Sequence, residues 1–417
     1  MTGVLSALNI VFWGVLTFSI LVVLHEGGHF LAARAFGVKV HEFMIGLPGP
    51  AIRLETKRTT FGITAFPLGG YVRIAGMEPG PEDERLADAL KAIAVAGRLD
   101  IAGVARALVV DRDRATALVT SLEDYGAVVR DDLHDYSLVP ELDASLEADA
   151  LLARARGWTF RGLSTPKRIA VLVSGVAVNL LTAILVFTIV LAIFGNYEAG
   201  LTLDFVQPGA PAAEAGLKIG DTLSQLDGTS LESWAQFQQM MNVTHEGDTV
   251  VVTYVRDGTE HSAEIVLADL EGHGFLGVRP GFVKVDYSVM QALGMSFKWT
   301  GMVFAAIIDF FKPATFATSV ENSRGVVGIS VMAADAAKAG PLDYAWLIAL
   351  LSLSLGAMNI LPIPPLDGGK VAVEIIERIA GRPLGRKLSI AVSATGAVLL
   401  FSLIGYLMYA DVVRLAR

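Results

Sequence analysis

The sequence predicts a polytopic α-helical membrane protein with four transmembrane helices. A small β-structure follows the first helix, and a compact α+β domain is inserted between the second and third. Three observations predict this. Apolar residues make up 53% of the 417 residues and charged residues only 18%, against about 25% charged in soluble proteins. Mean hydropathy is +0.54. Four stretches (4–24, 169–197, 344–366 and 388–410) run without a charge for roughly the 20 residues that a crossing needs.

The first stretch has no lysine or arginine before or within it. The basic leader of a cleaved signal peptide is therefore missing, and an uncleaved span is expected. A fifth stretch, 290–308, is interrupted by Lys298 and reads as an amphipathic or interfacial helix. Loop charges set the orientation. Arg34, Lys39, Arg53, Lys57, Arg58 and Arg73 follow the first span, Arg161, Lys167 and Arg168 precede the second, and Lys370, Arg378, Arg382, Arg386 and Lys387 lie between the third and fourth. The N-terminus is then outside, 35–167 inside, 198–342 outside and 367–387 inside. Arg414 and Arg417 fall outside, against the rule.

Between the spans the chain divides into 37–77 (β-structure), 78–157 (insert), 200–283 (outer domain) and 286–340 (interfacial segment and loop). The spans occupy 1–36, 166–197, 342–387 and 388–417. In 37–77, turn signals at Gly46-Leu47-Pro48-Gly49 and Gly69-Gly70 separate strand-like runs at 61–68 and 71–74. The insert opens with Glu78-Pro79-Gly80-Pro81-Glu82-Asp83-Glu84 and holds 17 acidic against 9 basic residues. Helical patterns at 101–108 and 115–122 precede a strand pair at 127–130 and 136–139, which suggests a winged-helix shape. Its acidity, with a whole-chain net charge of −9, argues against nucleic acid as a partner. A cytoplasmic accessory domain is the expectation.

In 200–283, the run Pro211-Ala212-Ala213-Glu214-Ala215-Gly216-Leu217-Lys218-Ile219-Gly220-Asp221 leads to a helical stretch at 233–241. An alternating strand at 249–256, an Asp257-Gly258 turn and a second strand at 261–267 follow. This resembles a PDZ domain, the Ala-Gly-Leu-Lys-Ile-Gly-Asp part most specifically. The resemblance implies an extended peptide ligand bound by strand addition, with Gly200-Leu201-Thr202-Leu203 at the loop that receives the peptide terminus.

There are no cysteines and seven histidines, so any transition metal must be held by His, Asp or Glu. His25-Glu26-Gly27-Gly28-His29 ends the first span. Positions i and i+4 share a helix face, which sets two imidazoles side by side as a zinc ion requires. Glu26 follows the first, within reach of a metal-bound water. Such a string also arises by chance, and a lone buried histidine is more often a satisfied core residue. Here, however, the ionisable groups continue directly from an uncharged stretch, and at membrane depth such groups are costly and usually functional. A second motif, Asn359-Ile360-Leu361-Pro362-Ile363-Pro364-Pro365-Leu366-Asp367-Gly368-Gly369, ends the third span. Three prolines in four positions cannot continue a helix, and broken backbone at that depth must line a cavity. Asp367 would project into it. Alternatively, Asp367 caps the following helix or makes a turn before Gly-Gly.

The two motifs together resemble the site-2 protease family of intramembrane zinc metalloproteases, in particular the bacterial regulator-of-sigma-E type. His25, Glu26 and His29 match one family element, and Leu366, Asp367 and Gly368 match the other. Pro67-Leu68-Gly69-Gly70-Tyr71-Val72 resembles the family's membrane-associated β-loop. The resemblance implies zinc on His25, His29 and Asp367, with Glu26 as general base. It implies substrate contacts at Asn359, Gly69, Gly70 and Tyr71, and an extracytoplasmic PDZ domain acting as a gate. An edge strand around 61–74 would hold substrate extended. The implied substrates are single-span membrane proteins such as anti-sigma factors, or remnant signal peptides. The implied setting is the lipid of the cell's inner (plasma) membrane, crossed several times, with the active site toward the cytoplasm. The chain departs from the family in three ways. It has room for one PDZ domain, it carries the acidic insert, and it reads Gly175-Val176-Ala177-Val178-Asn179 where Gly-Pro-x-x-Asn is expected, which leaves the role of Asn179 open. A catalytically inactive PDZ scaffold is the alternative, against which Glu26 stands. A metal transporter would need ionisable ligands on several spans; only His25 and His29 lie at one.

Overall fold

Helix α1 (Thr2–Ala35) is unbroken, as its proline-free apolar sequence dictates. We describe the protein from a computed structural model that covers residues 2–56, 58–65, 69–77, 82–270, 272–382 and 384–416. Phe66-Pro67-Leu68 of the β-loop run and Glu78-Pro79-Gly80-Pro81 at the head of the insert lie outside the described residues.

Strands β1 (Val40–Ile45), β2 (Ala51–Glu55), β3 (Thr60–Thr64) and β4 (Gly70–Ile74) form one sheet in the order β2-β3-β1-β4. β1 pairs parallel with β3 and antiparallel with β4. This corrects the expected edge. β3 is interior, and of the 61–74 segment only β4 lies at the sheet's border. β4 lies against α1, and a side chain on Gly70 would strike Val22 and the Met44 carbonyl.

The insert contains α2 (Leu86–Ala96), α3 (Ile101–Leu108), α4 (Arg112–Asp124), the hairpin β5 (Val128–Arg130)–β6 (Tyr136–Leu138) and α5 (Ala148–Arg156). Asp100 and Asp111 cap α3 and α4, accepting from the Gly103 and Arg114 amides. Each such cap contributes about 1 kcal/mol. Leu90, Ile93, Leu118, Leu122 and Leu151 fill a core of its own. Three helices precede the hairpin and one follows it, and a bridge joins Leu99 to Tyr136. The insert is fastened to the sheet. His41 Nε2 donates to the Asp124 carbonyl at 2.6 Å, Lys39 Nζ donates to the Gly126 carbonyl at 3.0 Å, and the Gly76 amide donates to the Asp124 carboxylate at 2.9 Å.

α6 (Thr165–Phe194) leads to the outer domain. There β7 (Asn196–Val206), α7 (Pro211–Glu214), β8 (Thr222–Leu226), β9 (Thr229–Ser230), α8 (Trp234–Met241), β10 (Thr249–Arg256) and β11 (Thr259–Val266) follow. β12 (Ala268–Leu270), β13 (His273–Phe275) and β14 (Val278–Val285) complete it. The main sheet runs β11-β10-β8-β7-β14. Asp257 and Gly258, with φ of 51° and 77°, make the tight turn that the Asp-Gly pair prescribes. Gly200–Leu203 lies within β7, which corrects its expected place in a loop. Leu203, 1% exposed, packs inward and pulls the segment into the ladder. Buried Asp221 pairs with Arg256 at 2.7 Å. Burial pushes the Asp221 carboxyl up, but Arg256 and the Lys218 amide outweigh it and hold it below the usual range. The chain forms two compact units, 188–292 and the remainder.

α9 (Val289–Phe310), α10 (Phe316–Asn322), α11 (Val326–Ala339), α12 (Pro341–Asn359), α13 (Asp367–Ala380) and α14 (Arg386–Ala416) complete the chain. Among the described residues, five helices are long and apolar enough to cross a membrane: Val4–Ala35, Thr165–Phe194, Val289–Phe310, Pro341–Asn359 and Lys387–Leu415. The expectation was four. α9 is the addition, because one lysine on a long stem does not interrupt an apolar helix. The expected loop before α12 contains α10 and α11. A side chain on Gly14 of α1 would run into Ser330 of α11, and buried Asp411 of α14 accepts from the Gly328 amide at 2.8 Å, in the first turn of α11.

Candidate active site

Three buried side chains from two distant segments converge. His25 and His29, 8% and 6% exposed, stand on one face of α1, and Asp367, 5% exposed, opens α13. Asp367 Oδ2 lies 2.9 Å from His25 Nε2 and 3.1 Å from His29 Nε2. One ligand atom from each residue fits within a 4.8 Å span. The prolines end α12 at Asn359 and turn the chain, so that Asp367 returns toward α1. Gly368, Gly369 and Gly396 leave room for this loop, since a side chain on each would strike its backbone. The capping alternative fails on geometry: the cap position of α13 is Leu366, with no side-chain cap bond. The second oxygen of Asp367 is held by Lys370 Nζ at 3.0 Å.

The hydrogen bonds behind the imidazoles decide which chemistry fits. His29 Nδ1 lies 2.8 Å from the Val171 carbonyl, which can only accept, so Nδ1 carries the proton. The lone pair of Nε2 then faces a carboxylate oxygen. His25 Nδ1 meets the Asn179 amide at 3.2 Å. Asn179 is fully buried, and its Oδ1 has no partner. With the amide turned over, Oδ1 accepts from His25 Nδ1–H. Both imidazoles then aim lone pairs at one carboxylate, and a cation is needed between them. Tetrahedral zinc with bonds near 2.0–2.2 Å separates its ligand atoms by about 3.4 Å, so the cluster would open by a few tenths of an ångström. The residues fit the metal.

Glu26 makes no hydrogen bond or ion pair among the described residues; its carboxylate is free beside the cluster. The glycines between the histidines divide their roles. A side chain on Gly28 would strike the Ser174 carbonyl and Gly175 of α6, and one on Gly175 would strike His29. Small residues allow this close helix approach. A Cβ on Gly27 would meet nothing within 4 Å. Gly28→Ala is therefore expected to cost about 1–3 kcal/mol and to lower zinc content, while Gly27→Ala leaves stability equal or raised by up to about 1 kcal/mol. Thermal unfolding with metal analysis tests this; equal losses in both variants would refute the packing argument.

The other expected contacts lie elsewhere. Gly70 and Tyr71 are on β4 and Gly69 just precedes it; the Tyr71 hydroxyl donates to Glu42 at 3.1 Å. Asn359, at the end of α12, donates to its own helix at the Leu355 carbonyl, 2.9 Å away. Four contributors were not legible as such: the Val171 carbonyl, Asn179, Lys370, and Ser352, which donates to the Asn179 carbonyl at 3.0 Å. Asn179 alone had a signal, its place in the second-span motif. Nearby, Arg168 of α6 pairs with buried Glu374 of α13 at 3.0 Å. Burial pushes the Glu374 carboxyl up, and Arg168 opposes it. A cavity of roughly 230 Å³ lies beside Gly369 and Lys370.

A His-Glu-x-x-His helix closed by a remote aspartate defines a metalloprotease built among apolar helices. The chain belongs to peptidase family M50, whose family model matches residues 13–403, and it is a zinc metalloendopeptidase. Zinc metalloprotease RasP of Oceanobacillus iheyensis is 27% identical over 425 residues, covering 96% of this chain and 98% of that protein. A relative from Neisseria meningitidis (29% over 443 residues, 95% and 97% covered) and one from Brucella suis (27% over 412 residues, 94% and 92%) also carry zinc metalloprotease in their names. Among solved structures, the PDZ domain of the SdrC-like protein Lmo2051 from Listeria monocytogenes is 28% identical, covering 19% of this chain and 85% of its own, with a TM-score of 0.18.

Proposed function

We propose that the chain is an endopeptidase of the inner (plasma) membrane that cuts single-span membrane proteins, anti-sigma factors or remnant signal peptides among them. In this reading His25, His29 and Asp367 hold zinc and Glu26 is the general base. The observation that carries it is the meeting of two imidazole lone pairs and one carboxylate beside a carboxylate left free, at the ends of apolar helices. Zinc, when bound, acidifies a water and stabilises negative charge on the scissile carbonyl. Glu26 takes the proton of the attacking water and delivers it to the departing amine. The Val171 carbonyl and the Asn179 amide fix both imidazole tautomers with Nε2 toward the metal. Lys370 holds the second oxygen of Asp367, which leaves one oxygen for coordination.

A transmembrane helix has its amides sealed and must be opened to be cut. The border strand β4, at Gly69, Gly70 and Tyr71, would hold the opened segment by strand addition, with Asn359 turning from Leu355 to the substrate backbone. Open space beside Gly27 supports approach from that side. The cavity beside Lys370 supports water supply from the cytoplasmic side. The domain of 200–283 is read as an extracytoplasmic PDZ gate that binds peptide at a sheet edge. To test the reading, membrane fractions of cells holding only Glu26→Gln are compared with those of cells holding the unaltered chain. Small single-span proteins are expected to accumulate intact; unchanged membrane fractions would count against it.

A further inference from the structure

The end of α1 and the sheet that follows it turn a basic wall toward the acidic insert fastened to them. A cleft of roughly 840 Å³ opens between the end of α1, strands β1 and β4, and the hairpin β5–β6. Arg34, Lys39, His41, Arg58, Arg73 and Arg130 line it, opposed by two carboxylates, Glu123 and Glu141. In a chain of net charge −9 this is a local inversion of sign. It is also unneutralised: Arg34, Arg58 and Arg73 have no ion-pair partner among the described residues. The walls are set. Lys39 Nζ is held by the Gly126 carbonyl at 3.0 Å and stands 4.0 Å over the Trp158 ring, and His41 is tied to the Asp124 carbonyl. Like charges gathered in a walled cleft raise one another's energy, which an anion relieves. Guanidinium groups present paired donors that match a phosphate, and charge-assisted bonds of this kind are about twice as strong as neutral ones.

We propose that this cleft binds a phosphate-bearing anion, with Arg34 and Arg58 as its principal donors and the insert as its second wall. The phosphate is either the headgroup of an anionic lipid, which the end of α1 would meet at the membrane surface, or a soluble phosphate ester.

Trp158 supplies the readout. Full-length protein in detergent is titrated with glycerol 1-phosphate and with dihexanoyl phosphatidylglycerol, and the fluorescence of a Trp158→Phe variant is subtracted. A saturable change is expected, weakened at least tenfold in the Arg34→Gln/Arg58→Gln double variant and largely restored in Arg34→Lys/Arg58→Lys. It should also weaken as salt rises. Saturation by both probes assigns the site to phosphate esters at large, and saturation by the lipid alone assigns it to a headgroup. Zinc content and elution volume check that the double variant is folded; should it fail, the single Arg58→Gln is read, with at least a threefold loss expected. Absence of a saturable change with either probe overturns the proposal, as does unchanged affinity in a folded glutamine variant.

Discussion

Glu26→Gln is expected to lower the rate of cleavage of a single-span substrate by about a hundred- to ten-thousand-fold while leaving zinc content and thermal stability within error of the parent. Each half of that expectation has its own ground. The rate falls because glutamine keeps the shape of glutamate but takes no proton from water, so the attacking water has no base and the leaving amine no acid. Zinc content holds because Glu26 is outside the three-residue group whose ligand atoms gather within 4.8 Å. Stability holds because its carboxylate makes no hydrogen bond or ion pair among the described residues, so nothing is left unpaired by the change. The experiment is a time course in detergent with metal analysis on the same preparation. It separates the enzyme from the inactive scaffold, which would lose nothing. Cleavage at the parental rate would remove Glu26 from the mechanism, and loss of zinc would make it a ligand instead of a base.

The features legible in the sequence were those written in local chemistry. The i, i+4 spacing of His25 and His29 is a helix-face rule, and it needs only an unbroken α1 to hold. Helix α8 begins after Ser233, whose hydroxyl accepts from the Gln236 amide at 3.3 Å, and β10 spans the alternating run, because caps and alternation are also local. What escaped depends on partners remote in the chain. That β3 is interior and β4 at the border follows from the parallel pairing of β1 with β3, which no alternation pattern specifies. α11 is 14 residues long, too short for a span and rich in small residues. Its helical state is secured from outside, by Asp411 at its first turn and by the close approach of Gly14 to Ser330. Asn179 shows the same limit within the site. Its motif marks it, but its task of fixing the His25 tautomer exists only because Gly28 and Gly175 let α1 and α6 touch.

Asp367→Asn carries the second large effect, because it separates the two things an aspartate can do at the start of a helix. Asparagine caps a helix as well as aspartate does, so if Asp367 serves α13 alone the substitution is close to neutral. As a ligand, Asp367 supplies the only negative charge among the three groups, and an uncharged amide oxygen is a poor replacement. Changes to groups behind a metal ligand cost about 10–100-fold in affinity, and loss of the ligand itself is expected to exceed 100-fold. Zinc content should fall well below stoichiometric, and proteolysis should vanish with it. Linkage supplies a readout independent of activity. Ligand at 100 times its dissociation constant stabilises the folded state by about 2.7 kcal/mol. Added zinc should therefore raise the unfolding temperature of the metal-stripped parent and leave that of the variant almost unmoved. The imidazoles, no longer facing a carboxylate 2.9 and 3.1 Å away, lose the repulsion that calls for a cation between them. A variant that binds zinc at parental affinity and is stabilised by it as the parent is would show that the metal sits elsewhere, and the account of the site built on Asp367 would fail.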